Sequence, residues 1–115
     1  MTRKQKHRVI ADWCAGVGAY CFWCGRAFAD GKMMATIDHF IPLARGGLHN
    51  PCNSVVAHMS CNSRRGDRLP TEDEMRRFMK LRGKRARQTL IHYAAYLSRE
   101  IRRAAAFKVL SLGAA

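Results

Sequence analysis

Cys21 and Cys24 stand in C-x-x-C spacing, and His58 and Cys61 stand in H-x-x-C spacing further along the chain. A metal held by both pairs must draw the two segments together, and this restricts the fold more than any other feature. Three thiolates and one imidazole make a closed tetrahedral Cys₃His set, the structural kind of zinc site, with no position left for substrate. A lone C-x-x-C says little, but the second pair turns isolated thiols into a zinc reading. Cys52 or His49 is an alternative to His58, although neither pairs with Cys61 at the compact spacing. Cys14 and Cys52 are otherwise left over and are read as small buried hydrophobes. The five cysteines are an odd number, which suits a disulfide framework poorly. A chain of 115 residues has core for one compact unit plus extensions, and a metal supplements so small a core.

Between and beside the two pairs lies a second set of polar residues. Asp38 and His39 follow a short β-branched run, and Pro42, the Gly46-Gly47 pair and Asn53 come after them. Asn62 directly follows Cys61. Neutral imidazole is suited to deprotonating water near pH 7. A carboxylate with an amide oxygen can hold a hard divalent cation such as Mg²⁺, which keeps waters and takes a phosphate oxygen. Such a cation would offset charge on a phosphorane and on the departing oxygen. These are the parts that phosphodiester hydrolysis needs.

The charge balance points to the same substrate class. Formal net charge is +13 and the pI about 10.5, so an acidic polymer is the natural partner. Nucleic acid is favoured over a membrane, since no apolar run approaches the ~20 residues of a spanning helix. The first residues lack the apolar core and small-residue cleavage site of a signal peptide, so a cytoplasmic location is expected. From Arg64 onward fourteen Lys and Arg stand against five Asp and Glu.

In chain order, the basic segment Arg3 to Arg8 reads as a solvated tail or as an arm on a phosphate backbone. A short helix is expected around Val9 to Cys14, ended by Gly16 and Gly18. Cys21 to Gly25 reads as a tight knuckle. A strand is expected from about Met33 to Asp38, with Phe40 to Leu43 as its partner strand. A helix is expected from near His58 to Arg65, stopping at Gly66. Thr71 with Glu74 predicts a capping box and a helix to Gly83. A longer helix follows, with Leu90, Ala94, Leu97, Ile101 and Ala105 on one face, read as core or as the seam of a homodimer.

The stretch from Cys21 to Gly66 resembles the zinc-bearing type of HNH endonuclease, of the His-Me finger or ββα-metal nucleases. The resemblance rests on the C-x-x-C pair, then Asp38-His39 with Pro42-Leu43, the Gly-Gly loop, Asn53, and His58-x-x-Cys61 followed by Asn62 and basic residues. It implies an α+β fold, a small ββα-metal core pinned by structural Zn²⁺ and flanked by helices. It also implies His39 as the general base and Asp38 with Asn62 as ligands of a catalytic divalent cation. Asn53 would brace the loop and orient His39, and Arg64, Arg65 or Arg68 would contact phosphates. His58 stands where the third cysteine is usual, and imidazole also binds zinc. Asn62 stands where many members have histidine, which favours Mg²⁺ or Mn²⁺ over softer ions. The expected organisation is one domain over 1–115, with a core of about 19–67 and a basic helical extension of about 70–110.

Other zinc chemistries fit less well. A nucleobase deaminase needs H-x-E, and no histidine here is followed two places on by glutamate. A C₂H₂ finger needs two histidines three to five apart, and His39 and His49 are further apart than that. The remaining alternative is a non-catalytic, zinc-stabilised nucleic-acid-binding module with a degenerate HNH fold. The intact Asp38-His39 pair argues for the endonuclease, since a binding module needs no general base. The setting stays open among phage packaging, mobile elements, restriction and repair, so phage packaging proteins stand among the candidate partners.

Overall fold

Thr2 begins the first helix as sequence chemistry prescribes for a capping box. Its hydroxyl accepts from the Gln5 backbone N–H at 3.1 Å, and the Gln5 side chain accepts from the Thr2 N–H at 2.8 Å. Helix α1 therefore runs over Arg3–Gly16, longer than expected, and takes in the basic segment that reads as a tail. Val9 and Trp13, one turn apart, are buried on its inner face. The structure is a computed structural model that describes residues 1–29 and 35–113, with side chains described as far as Lys108.

After α1 the chain closes a tight turn in which the Gly25 N–H donates to the Cys21 carbonyl at 2.9 Å. Strand β1 (Ala35–His39) then pairs antiparallel with β2 (Ser54–His58), with Asp38 opposite Val55 and His39 opposite Ser54. The expected strand start at Met33 lies outside the described residues. The expected partner strand, Phe40 to Leu43, is not one. Phe40 and Ile41 are buried just past β1, and Leu43–Arg45 turns as a single 3₁₀ coil beginning after Pro42. The true partner carries Val55 and Val56, β-branched residues suited to a pleated, buried surface.

The long connection between the strands is tied by Asn53. Its Oδ1 accepts from the Ile41 N–H, and its Nδ2 donates to the carbonyls of Ile41 and Leu48, all within 2.9 Å. Gly47 sits inside this knot, where an added Cβ would stand 1.8 Å from the Ile41 carbonyl oxygen. Only glycine fits there. A second 3₁₀ turn, Pro51–Asn53, delivers the chain to β2.

Helix α2 (Met59–Arg65) follows β2 without a break and ends at Gly66, where φ is 58°, so the ββα order is complete. Helix α3 (Glu72–Arg82) starts from the expected Thr71–Glu74 capping box. Helix α4 (Lys84–Gly113) is the longest. The core is aromatic: Phe40 stacks on Phe78 at 3.8 Å, and Phe22 meets Phe40 edge-on at 5.7 Å. Trp13, Ile41, Val55 and Val56 close it.

The apolar stripe of α4 serves the core only in part. Ala86, Thr89 and Tyr93 are buried and Leu90 packs against the core, whereas Leu97 and Ile101 are 39% and 68% exposed. The core faces just the first half of this 30-residue helix. Among the described residues no helix is long and apolar enough to cross a membrane.

Candidate metal centre and active cleft

The turn after α1 and the junction of β2 with α2 bring four ligand atoms together. The sulfurs of Cys21, Cys24 and Cys61 and one ring nitrogen of His58 lie within 4.8 Å of one another. Cys24 Sγ is 3.4 Å and Cys61 Sγ 3.9 Å from His58 Nδ1. These separations suit the edges of a tetrahedron with Zn–S near ~2.3 Å and Zn–N near ~2.0 Å. The alternatives His49 and Cys52 are elsewhere. Cys52 Sγ donates to Gln88 at 3.1 Å, and Cys52 and Cys14 are half-buried rather than fully buried.

Thiol chemistry also fits a cation here. Burial and the adjacent Cys21 and Cys24 push the Cys61 thiol up to about 11. Burial works against ionisation of Cys24 too, but the Arg26 backbone N–H and its cluster neighbours bring that thiol down to about 7. Three sulfurs this close repel one another as thiolates, and a divalent cation removes that repulsion. The residues present can therefore hold zinc.

Asp38 and His39 are successive strand residues, whose side chains point to opposite faces, and their partners differ accordingly. Asp38 is buried, and its Oδ2 accepts from Trp23 Nε1 at 2.8 Å and from Arg65 at 3.2 Å. The Arg65 guanidinium also donates to the carbonyls of His39 and Phe40 and lies 4.2 Å over the Trp23 ring. Asn62 Nδ2 donates to the Ile37 carbonyl at 3.3 Å, and Asn62 shares no hydrogen bond with Asp38. His39, half-buried, turns its Nε2 to His49 Nδ1 at 2.8 Å. Both imidazoles line a cleft of about 280 Å³ between β1 and the first turns of α1.

Residues 21–68 match the family model described as HNH endonuclease. This central stretch, 48 of the 115 residues, is similar to an HNH endonuclease domain. No curated protein and no solved structure gives a significant match to the chain. The match begins at the first cysteine of the metal centre and ends at Arg68, so it takes in the hairpin, the knotted loop and α2.

Within the matched stretch the basic residues have unequal freedom. Arg65, expected to reach a phosphate, is not available for one: its side chain is 2% exposed and is engaged by Asp38 and two carbonyls. Arg68 is half-exposed, and its guanidinium forms two bonds to Glu74, at 3.0 and 3.2 Å. Arg64 is exposed. Burial, and after it the neighbouring His49, holds the His39 pKa below its ordinary value, which keeps the ring neutral near pH 7.

His49 is the residue that sequence reasoning missed, since it enters there only as a spare zinc ligand. Its contact with His39 depends on how the Asn53 knot folds the loop back. The one signal was its place between Gly47 and Asn53, the two residues that fix that loop.

Proposed function

We propose that the chain is a metal-dependent endonuclease hydrolysing phosphodiester bonds in DNA, with His39 as general base. The observation that carries this reading is the His39 imidazole. It is hydrogen-bonded to a second imidazole and open to a cleft edged by cationic side chains, and burial favours its neutral form. In this reading His39 Nε2–H donates to His49 Nδ1, leaving His39 Nδ1 with the lone pair. That nitrogen takes a proton from water as the oxygen attacks phosphorus. One P–O bond forms, another breaks, the departing oxygen takes a proton from solvent water and leaves as a hydroxyl, and His39 returns its proton to solvent.

Asp38 and Asn62 are the proposed holders of the divalent cation, Mg²⁺ or Mn²⁺. Asp38 Oδ1 takes no hydrogen bond from a described residue, and Asn62 has its nitrogen on β1, so each has an oxygen to offer. When bound, the cation would neutralise charge developing on the phosphoryl and departing oxygens. Asn53 holds the loop that carries His49. Zn²⁺ in the Cys₃His set holds the turn after α1 to α2, with no part in the chemistry. Arg64 and Arg68 remain candidates for contact with neighbouring phosphates.

One observation favours the second reading, a zinc-stabilised DNA-binding module without activity: Asp38 already has Arg65 as a counter-ion. A supercoiled-plasmid assay with Mg²⁺ and with Mn²⁺ separates the two. The wild type should convert plasmid to nicked or linear forms, and His39→Ala should lose ~10²–10⁴-fold, the usual worth of a general base. Purified His39→Ala that cuts as fast as wild type would remove His39 from the mechanism. A wild type that binds DNA and leaves it intact would favour the binding module.

A further inference from the structure

We infer that α1 is the phosphate-binding wall of the cleft, with Arg3 and Lys6 holding the DNA backbone against His39; this rests on the nuclease reading above. Arg3, Lys6, His7 and Ile10 recur at helical spacing, so they share one face of α1. That face forms one side of the cleft, and β1 with His39 and His49 forms the other. No acidic residue lines it among the described residues. Arg3, Lys6 and His7 are all exposed, and neither Arg3 nor Lys6 forms an ion pair among the described residues. The arginines first expected to meet phosphate are by contrast largely engaged, Arg65 by Asp38 and Arg68 by Glu74.

The local helix chemistry makes the same point independently. A helix N-terminus carries partial positive charge and favours acidic side chains in its first turn. Helix α3 follows that rule with Glu72, Asp73 and Glu74, whereas the first turn of α1 has no acidic residue and contains Arg3, Lys4 and Lys6. Cations crowded there work against the helix in the free protein. A polyanion laid along the cleft would reverse that repulsion. A duplex backbone suits the site because its phosphates repeat, so one can lie beside His39 while its neighbours meet α1.

The test uses the full chain and a charge-matched control. Lys4 and Arg8 lie on another face of α1, away from β1. Arg3→Ala/Lys6→Ala and Lys4→Ala/Arg8→Ala remove the same charge from the same helix. Each pair is built in wild type for plasmid cleavage and in His39→Ala for binding to a duplex oligonucleotide, by anisotropy at several salt concentrations. The cleft pair should lower the magnitude of the salt slope by about two and weaken binding ~30-fold at 0.15 M salt. Cleavage should fall in step, and the control pair should move both far less. Melting temperatures of the four proteins confirm that the exposed positions leave the fold intact. Equal losses from both pairs would mean that only diffuse charge matters, and would overturn the proposal. So would a silent cleft pair, which would send the backbone to Arg64 and its surroundings. If the cleft pair is silent while His39→Ala abolishes cleavage, the nuclease reading survives alone. If the wild type never cuts yet the cleft pair selectively flattens the slope, the wall stands as a binding surface and the nuclease reading falls.

Discussion

Around Cys21, Cys24, His58 and Cys61, and again at Asp38, Arg65 and Trp23, polar groups face one another at the edge of the core. Around His39 and His49 the two rings share one hydrogen bond, and cationic side chains of α1 face them across an open cleft. Strand β1 contributes to both clusters, Asp38 to the first and His39 to the second. In the first, charge is neutralised by charge, and removing Asp38 or Arg65 strands the other in a buried place. In the second, positive charge gathers without a counter-ion among the described residues, at a ring able to take a proton. The first cluster ties the fold together and leaves one Asp38 oxygen for a cation; the second is arranged for an anion that arrives from outside. Each can be perturbed separately, so the division can be tested.

The largest effect should come from the zinc ligands. Protein purified without chelator should carry one zinc per chain, and Cys61→Ala or Cys24→Ala should unfold it. Structural zinc contributes on the order of 10–16 kcal/mol of apparent binding free energy, which becomes folding free energy in a domain this small. Elemental analysis finding no zinc in folded protein would end the assignment. Zinc that is present but removable without loss of circular dichroism would move this cluster out of the stability half of the comparison.

Next comes the ion pair beside it. Asp38 and Arg65 have side chains 8% and 2% exposed, so removing one leaves the other charge buried and unpaired. Arg65→Ala should cost roughly 3–5 kcal/mol in urea unfolding. It should leave the salt slope of DNA binding unchanged, since the guanidinium has no free face for a phosphate. A stable Arg65→Ala protein with a flattened slope would show instead that Arg65 turns outward on DNA.

His49 should behave in the opposite way. His49→Ala should leave stability nearly unchanged, because the side chain is exposed, and lower cleavage by about 10–100-fold, the scale at which orienting partners act. The pH profile distinguishes orientation from mere packing. His49 helps hold the His39 pKa down, so removing it raises that pKa. The base works unprotonated, and the acid limb of the rate should therefore move to higher pH. A loss of rate with an unmoved limb would count against the imidazole pair.

How much of this was legible follows the range of each interaction. The Cys₃His cluster was legible because two i, i+3 pairs are local and chemically unusual. The Thr71 capping box and the Gly66 stop were legible for the same reason. The partner of β1 was not, because the apolar Phe40–Leu43 stood next in sequence, while the true partner returns only after the loop that Asn53 ties. Arg65 looked like its exposed neighbour Arg64; only the packing of α2 on β1 sends one inward to Asp38 and leaves the other outside. On α4 the periodicity was real, but it cannot say where the core ends, and beyond Leu90 the stripe runs on past it.

The smallest effect separates the two capped helices. At the third position of its capping box α1 has the neutral Gln5, and α3 has the ionisable Glu74. Burial alone would raise the Glu74 pKa, but bonds from Arg68 and from the Thr71 N–H outweigh it and hold the carboxyl below its ordinary range. A depressed folded pKa contributes stability above the unfolded value and loses it as pH falls through the folded one. Glu74→Gln keeps an amide that can still cap, so at pH 7 it should lose only about 1 kcal/mol, with half-exposed Arg68 limiting the ion pair's share. That difference should shrink as the pH drops below the ordinary carboxylate value of ~4.3 and vanish once the pH lies below the depressed folded value as well. Urea unfolding of both proteins across that range measures it. Gln5→Glu is the mirror experiment: it adds a carboxylate where α1 has only cations, and should stabilise the free protein while weakening DNA binding. If Gln5→Glu left DNA affinity untouched, the basic first turn of α1 would be a solvated surface, and the contrast between the two helices would carry no functional meaning.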